Sequence, residues 1–286
     1  MGARALVVAA CILGAGCLAD FALLWPPPRN PNAVPGRMLP DPGGAVEVFV
    51  TPPGDGEPPD LYVIAMFGNG EEAEAPAGEL IAMFHRAGLR AEVWGVNYAG
   101  YGYSAGRASL GGVARSARRA YAEVAGRAAG KPIVVYGSSM GTTAALHLAA
   151  TVRLAGAVLK NAPPLPELVL RRFGWWNLFL LALPIALQIP EDLDSIGNAE
   201  HATAPALFLS ATADHVVPDS YQDRVMAAYA GPWRVIHLPG AGHNDPLSSD
   251  AERAMVAAIR RWATGGAAAA AAAPAVTPRR APAPRP

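Results

Sequence analysis

Between about residues 44 and 262 the chain alternates short apolar runs with stretches whose apolar residues recur at helical spacing. Ala45–Val50 (AVEVFV) alternates with period two and predicts an edge strand. Leu61–Phe67, Pro132–Tyr136, Leu154–Leu159 and Ala206–Ser210 are continuous apolar runs and predict buried strands, with two more over Arg90–Val96 and Arg234–Leu238. Helical spacing marks Gly78–Ala87, Ala108–Ala129, Met140–Ala150, Tyr221–Tyr229 and Ser249–Trp262. Strands apolar on both faces and separated by helices imply a mostly parallel sheet covered on two sides. In such sheets the chemistry gathers beyond the carboxyl ends of the strands.

The ends of the chain follow other patterns. Ala5–Leu24 is apolar except for Asp20 and is preceded by Arg4, the layout of a targeting or anchoring segment. A cleaved signal, an uncleaved anchor and a bacterial lipoprotein signal all fit residues 1–24, with a plain core helix as the alternative. Gly14-Ala15-Gly16-Cys17 resembles a lipoprotein box that would acylate Cys17, and Val8-Ala9-Ala10-Cys11 matches the box after a very short apolar region. Membrane association through the N-terminus is therefore expected, with export. Residues 25–43 are Pro-rich and read as a stiff spacer lifting the body off that anchor. Residues 264–286, rich in Ala and Pro, read as a disordered tail. The folded domain is expected over 44–263.

Composition narrows the class. Hydrophobic residues make up 52% and charged residues 16%, which excludes a fully disordered chain. Lys+Arg 23 balances Asp+Glu 23 without a basic cluster, which argues against a nucleic-acid partner. Cys11 and Cys17, both near the N-terminus, offer the folded body neither a disulfide framework nor a cysteine-based metal site, and no metal or cofactor is expected.

The strand ends carry the candidate chemistry. Gly137-Ser138-Ser139-Met140-Gly141 lies between a predicted buried strand and a predicted helix, the context a G-x-S-x-G nucleophile turn requires. Ser139 is the candidate nucleophile, with Ser138 in the less suitable motif position. The Met140 amide, at the start of the helix, would face developing negative charge. A serine hydroxyl needs a base and the base an orienting acid. Asp214 follows ALFLS and His243 follows RVIHL, in the order Ser, Asp, His. Asp219 is the alternative acid. Asp192 and Asp194 lie in an irregular region. Strand LYVIAMF ends in Gly68-Asn69-Gly70, and the Asn69 amide is the candidate second oxyanion donor.

Four motifs in order, G-S-S-M-G (137–141), N-Y-A-G-Y-G-Y-S-A-G (97–106), D-H-V-V-P (214–218) and G-A-G-H-N-D (240–245), make the chain resemble the α/β-hydrolase superfamily, in particular its bud-emergence-homologue and depalmitoylase-like branch. The resemblance implies an α/β-hydrolase fold, with a mostly parallel central sheet flanked by helices and a short cap insertion. It also implies Ser139 as nucleophile, His243 as base, Asp214 as acid, and the Asn69 and Met140 amides as oxyanion hole. Phe67 stands where that branch usually has His. Asn97 and Ala99 stand where it usually has Asp and Arg.

The cap is expected at about 163–204, where the alternation breaks. Trp175, Trp176 and the apolar run Leu178–Leu187 would line an acyl pocket, touch a bilayer, or pack the cap onto the body. The reading is a membrane-tethered serine hydrolase acting on a small-molecule or lipid-like acyl ester or thioester. An amidase or peptidase would use the same triad. A non-catalytic tethered scaffold would have been signalled by a missing triad residue.

Overall fold

The structure is a computed structural model, and it describes residues 17–29, 31–173 and 182–265. Eight strands form one sheet: β1 (Arg37–Leu39), β2 (Val46–Thr51), β3 (Leu61–Met66), β4 (Ala91–Val96), β5 (Ile133–Ser138), β6 (Gly156–Lys160), β7 (Ala206–Ala211) and β8 (Trp233–Leu238). Their spatial order is β1-β2-β4-β3-β5-β6-β7-β8. β2 pairs antiparallel with β1 and β4, and every pairing from β4 to β8 is parallel. This is the mostly parallel sheet that the alternation of runs implied, in the arrangement expected from the resemblance.

The helices divide between the two faces. β3 shows why: all six of its residues are buried, so both faces need cover. Leu61, Val63 and Ala65 pack in one core with α2 (Glu74–Arg86) and α9 (Ser249–Ala263). Tyr62, Ile64 and Met66 pack in the other with α3 (Leu110–Ala128) and α4 (Gly141–Thr151). The period-two alternation of a strand thus serves two separate cores. Leu80, Ile81 and Phe84 on α2 are buried there, each worth about 1.5–3 kcal/mol of transfer free energy.

Three features depart from the sequence reading. First, AVEVFV is not at the edge, because β1, within the expected spacer, pairs outside it. Second, Glu47 in β2 is fully buried. Its carboxylate accepts from Gly36 N (2.7 Å), Asn97 Nδ2 (2.7 Å) and Tyr103 N (2.8 Å). Asn97 Oδ1 in turn accepts from Ala73 N at 2.8 Å. An amide at position 97 can donate to Glu47, which an ionised carboxylate cannot, and this accounts for an Asn at that position. Gly102, at φ +51°, lies against both Asn97 and Glu47, where any Cβ would collide with them.

Third, the expected cap divides in two. α5 (Leu165–Phe173) and α6 (Ala182–Leu187) form a small cluster of their own through Val169, Ala182 and Ala186. α7 (Ser195–His201) instead packs on α4 and belongs to the body, ahead of β7 and α8 (Asp219–Ala228). Trp175, Trp176 and Leu178–Leu181 lie outside the described residues, as do residues 1–16 and 266–286. The end of the expected anchor is a short helix, α1 (Cys17–Leu23), and Leu23 packs against the α5–α6 cluster. Among the described residues no helix is long and apolar enough to cross a membrane.

Asn97→Asp is expected to destabilise the fold by about 2–4 kcal/mol, because it sets a second carboxylate against buried Glu47 and removes a donor. Urea denaturation at neutral pH measures the difference.

Candidate active site

The site is built from three strand ends. β5 runs into a tight turn at Ser139, whose φ of 52° lies in the left-handed region where few non-glycine residues sit. Such a conformation costs on the order of 1–3 kcal/mol and persists when its surroundings enforce it. Here Ser139 N donates to Lys160 O on β6 (2.8 Å). Ser139 O accepts from Thr142 N (2.9 Å) and Thr142 Oγ1 (2.7 Å). The flanking glycines are needed for space. A Cβ at Gly137 would lie 2.7 Å from Thr142 Cα, and one at Gly141 would strike the carbonyl of Met66.

The turn aims Ser139 at the loop after β8. Ser139 Oγ is 2.8 Å from His243 Nε2, and His243 Nδ1 is 2.6 Å from Asp214 Oδ2 on the loop after β7. The other Asp214 oxygen accepts from Val216 N (2.7 Å) and Val217 N (2.8 Å). Burial pushes the Asp214 carboxyl up, but the hydrogen bonds from His243 and the Val217 and Val216 amides outweigh it and hold it below the ordinary carboxylate range. The carboxylate is thus ionised and fixed, and it sets which imidazole nitrogen faces Ser139. The His243 side chain is 12% exposed, so the relay opens to solvent at the serine end.

The alternatives sit elsewhere. Ser138 remains in β5, in register with Lys160. Asp219 accepts from Ser210 Oγ at 2.7 Å. Asp192 pairs with Arg118 at 2.8 Å and Asp194 caps α7 at Ile196 N.

The Asn69 and Met140 amides have no protein acceptor among the described residues. A Cβ added at Gly68 would lie 3.5 Å from Ser139 Cβ, so the loop after β3 passes directly beside the serine. The loop is braced by three hydrogen bonds. Tyr98 OH donates to Phe67 O (2.7 Å), Tyr101 OH donates to Asn69 Oδ1 (2.7 Å), and Gly68 N donates to Glu71 Oε2 (2.6 Å). The two tyrosine rings meet edge to face at 5.4 Å. Burial pushes the Tyr101 phenol up to about 12 and raises Tyr98 well above its ordinary value, so both remain donors.

Two more residues escaped the sequence reading. Asn161, at φ 54°, follows β6 and donates from Nδ2 to His243 O (2.9 Å) while accepting from Ala211 N (3.0 Å). Lys160 Nζ donates to Asp245 O at 2.9 Å, and burial lowers its pKa against the pull of Glu71, Asp245, Asp214 and Glu79. Together they tie the His243 loop to the strand beside Ser139. Their sequence signal is their place at the carboxyl end of β6, the strand-end position that Ser139, Asp214 and His243 share on β5, β7 and β8. Among the described residues no cluster of three or more His, Cys, Asp or Glu side chains is placed to hold a metal ion.

Chemically, the arrangement is an oriented hydroxyl–imidazole–carboxylate chain with two unengaged N–H groups beside the hydroxyl. Its neighbours among known proteins have the same architecture. An esterase of Pyrococcus furiosus is 15% identical, with a TM-score of 0.62, covering 84% of this chain and 97% of that one. Est1E of Butyrivibrio proteoclasticus, solved with ferulic acid, is 14% identical at TM-score 0.61, covering 82% of this chain and all of its own. A serine hydrolase of Xanthomonas campestris described as lacking a lid is 20% identical at TM-score 0.58, covering 82% of this chain and 98% of that one. These likenesses establish the α/β-hydrolase fold. No family model matches the chain. The uncharacterized proteins MT2364 and Rv2307c of Mycobacterium tuberculosis are each 33% identical over 189 residues. That stretch covers 65% of this chain, and the chain spans 64% of the length of those relatives.

Because the Asp214 pKa is depressed in the fold, its stabilisation is present above the unfolded value of about 3.9 and is lost as pH falls through the lower folded value. Asp214→Asn is therefore expected to be less stable than the wild type at pH 7, with the gap narrowing below about pH 4. Urea denaturation at both pH values checks the sign.

Proposed function

We propose that the protein is a serine hydrolase that cleaves an acyl ester or thioester through an acyl-enzyme, and that its N-terminus attaches it to a membrane. The observation that carries the reading is the continuous chain from Ser139 Oγ through His243 to Asp214, beside the unengaged Asn69 and Met140 amides. In this reading His243 Nε2 takes the Ser139 proton as the oxygen attacks the acyl carbonyl. The Asn69 and Met140 amides hold the resulting oxyanion. His243 returns the proton to the leaving alcohol or thiol, and water attacks the acyl-enzyme by the same path.

The depalmitoylase-like branch is the finer assignment. It draws support from the motif set around Tyr98, Ser139, Asp214 and His243, while Asn97 and its pairing with Glu47 mark this chain off within it. Membrane attachment draws support from the apolar run leading into α1, by lipidation at Cys17 or by an uncleaved anchor. Exposed Phe21 lies within that run and exposed Trp25 just after it, and exposed Leu183 and Leu187 lie on α6, against which α1 packs. Such a surface suits an apolar acyl substrate.

The test is ester hydrolysis by the full-length protein recovered with membranes. With p-nitrophenyl esters, each added methylene should raise kcat/KM about threefold to fourfold from acetate upward, at about 0.8 kcal/mol per buried CH₂, until the pocket is full. Ser139→Ala should abolish turnover across the series. A series with acetate cleaved best would remove the acyl-chain assignment, and turnover surviving in Ser139→Ala would remove the mechanism.

A further inference from the structure

The last part of the apolar N-terminal run, together with the residues just after it, is built into the rim of the site. Leu18 N and Ala19 N both donate to Gln188 Oε1 at 3.1 Å, which joins the start of α1 to the segment after α6. Asp20 Oδ1 accepts from Leu110 N at 2.7 Å, which joins α1 to the start of α3. Further along, Arg29 Nε donates to Gly102 O at 2.8 Å. Between these attachments the backbone passes Asn69. Trp25 N donates to Asn69 Oδ1 (2.9 Å), and Asn69 Nδ2 donates to Leu23 O (2.7 Å). With the Tyr101 hydroxyl, both acceptor sites and one donor of the Asn69 side chain are engaged, two of the three by the N-terminal segment.

We infer that residues 18–29 are a positioning element of the active site, holding through the Asn69 side chain the loop that carries the Asn69 backbone N–H. The inference rests on the hydrolase reading for the role of that amide, and on the hydrogen bonds alone for the tether. Deleting one oxyanion donor costs about 10²–10³ in kcat, and a donor left in place but less firmly held loses part of that. The oxyanion exists only after attack, so the loss falls on kcat rather than KM. Whatever seats or unseats the N-terminal segment then sets the turnover of the site.

The backbone N–H of Trp25 isolates the tether, because its side chain is 69% exposed and contributes little packing. Trp25→Pro deletes the donor, and Trp25→Ala removes the same side chain but keeps it. In the full-length protein the proline variant is expected to fall about tenfold in kcat below the alanine variant, with KM within about twofold and the same thermal midpoint. Tyr101→Phe, which deletes the other donor to Asn69 Oδ1, should move kcat in the same direction. Amide hydrogen exchange over residues 67–71 should be faster in the proline variant than in the alanine variant. Equal kcat and equal exchange in the two Trp25 variants would overturn the inference. A wild-type protein that cleaves no ester would overturn the hydrolase reading instead, and the exchange comparison would then decide the tether by itself.

Discussion

The left-handed turn at Ser139 is the constraint around which the site is arranged. A serine backbone at φ 52° is costly, and three hydrogen bonds to its own backbone groups together with two glycine positions hold it there. Gly141 lets the start of α4 approach the end of β3, which brings the Gly68–Asn69 loop beside the serine. The β5–β6 pairing supplies Lys160 O to Ser139 N. The next residue, Asn161, reaches across to the His243 loop. One turn therefore fixes the positions of the hydroxyl, the imidazole and the two amides relative to a rigid parallel sheet. Sites held on rigid elements in this way keep their geometry without help from the substrate.

Much of this was legible in the residues because the signals were redundant. Strands covered on both faces appear as unbroken apolar runs, and β3, β5, β6 and β7 were found within about two residues of their ends. Ser139, Asp214 and His243 each follow such a run in a fixed order, and the structure brings all three into hydrogen-bonding contact. What stayed hidden depended on partners distant in sequence. β1 is three residues long, too short for any period to show. Glu47 occupies a position that alternation assigns to a polar face, and its burial follows from three donors 11 to 56 residues away. Tyr98 and Tyr101 belong to the 97–106 motif, but their hydroxyl partners at Phe67 and Asn69 lie 31 and 32 residues upstream.

The N-terminal segment shows the same limit from the other side. An apolar run behind an arginine carries a strong targeting signal, and prolines after it carry a spacer signal. Neither pattern reveals that Leu23 and Trp25 hydrogen-bond to Asn69, or that Leu23 packs on the α5–α6 cluster. Attachment to a membrane and seating against the active-site loop are compatible roles for adjacent parts of one segment. The contacts that hold the loop, at Leu23 and Trp25, flank Leu24, where the expected anchoring segment ends.

The central claim, that Ser139 is the nucleophile, is tested most directly by treating the native protein with a fluorophosphonate probe and locating the adduct by peptide mass spectrometry. The account predicts one stoichiometric adduct, on Ser139. An adduct on Ser138, or a folded wild-type protein that takes up no probe, would contradict it.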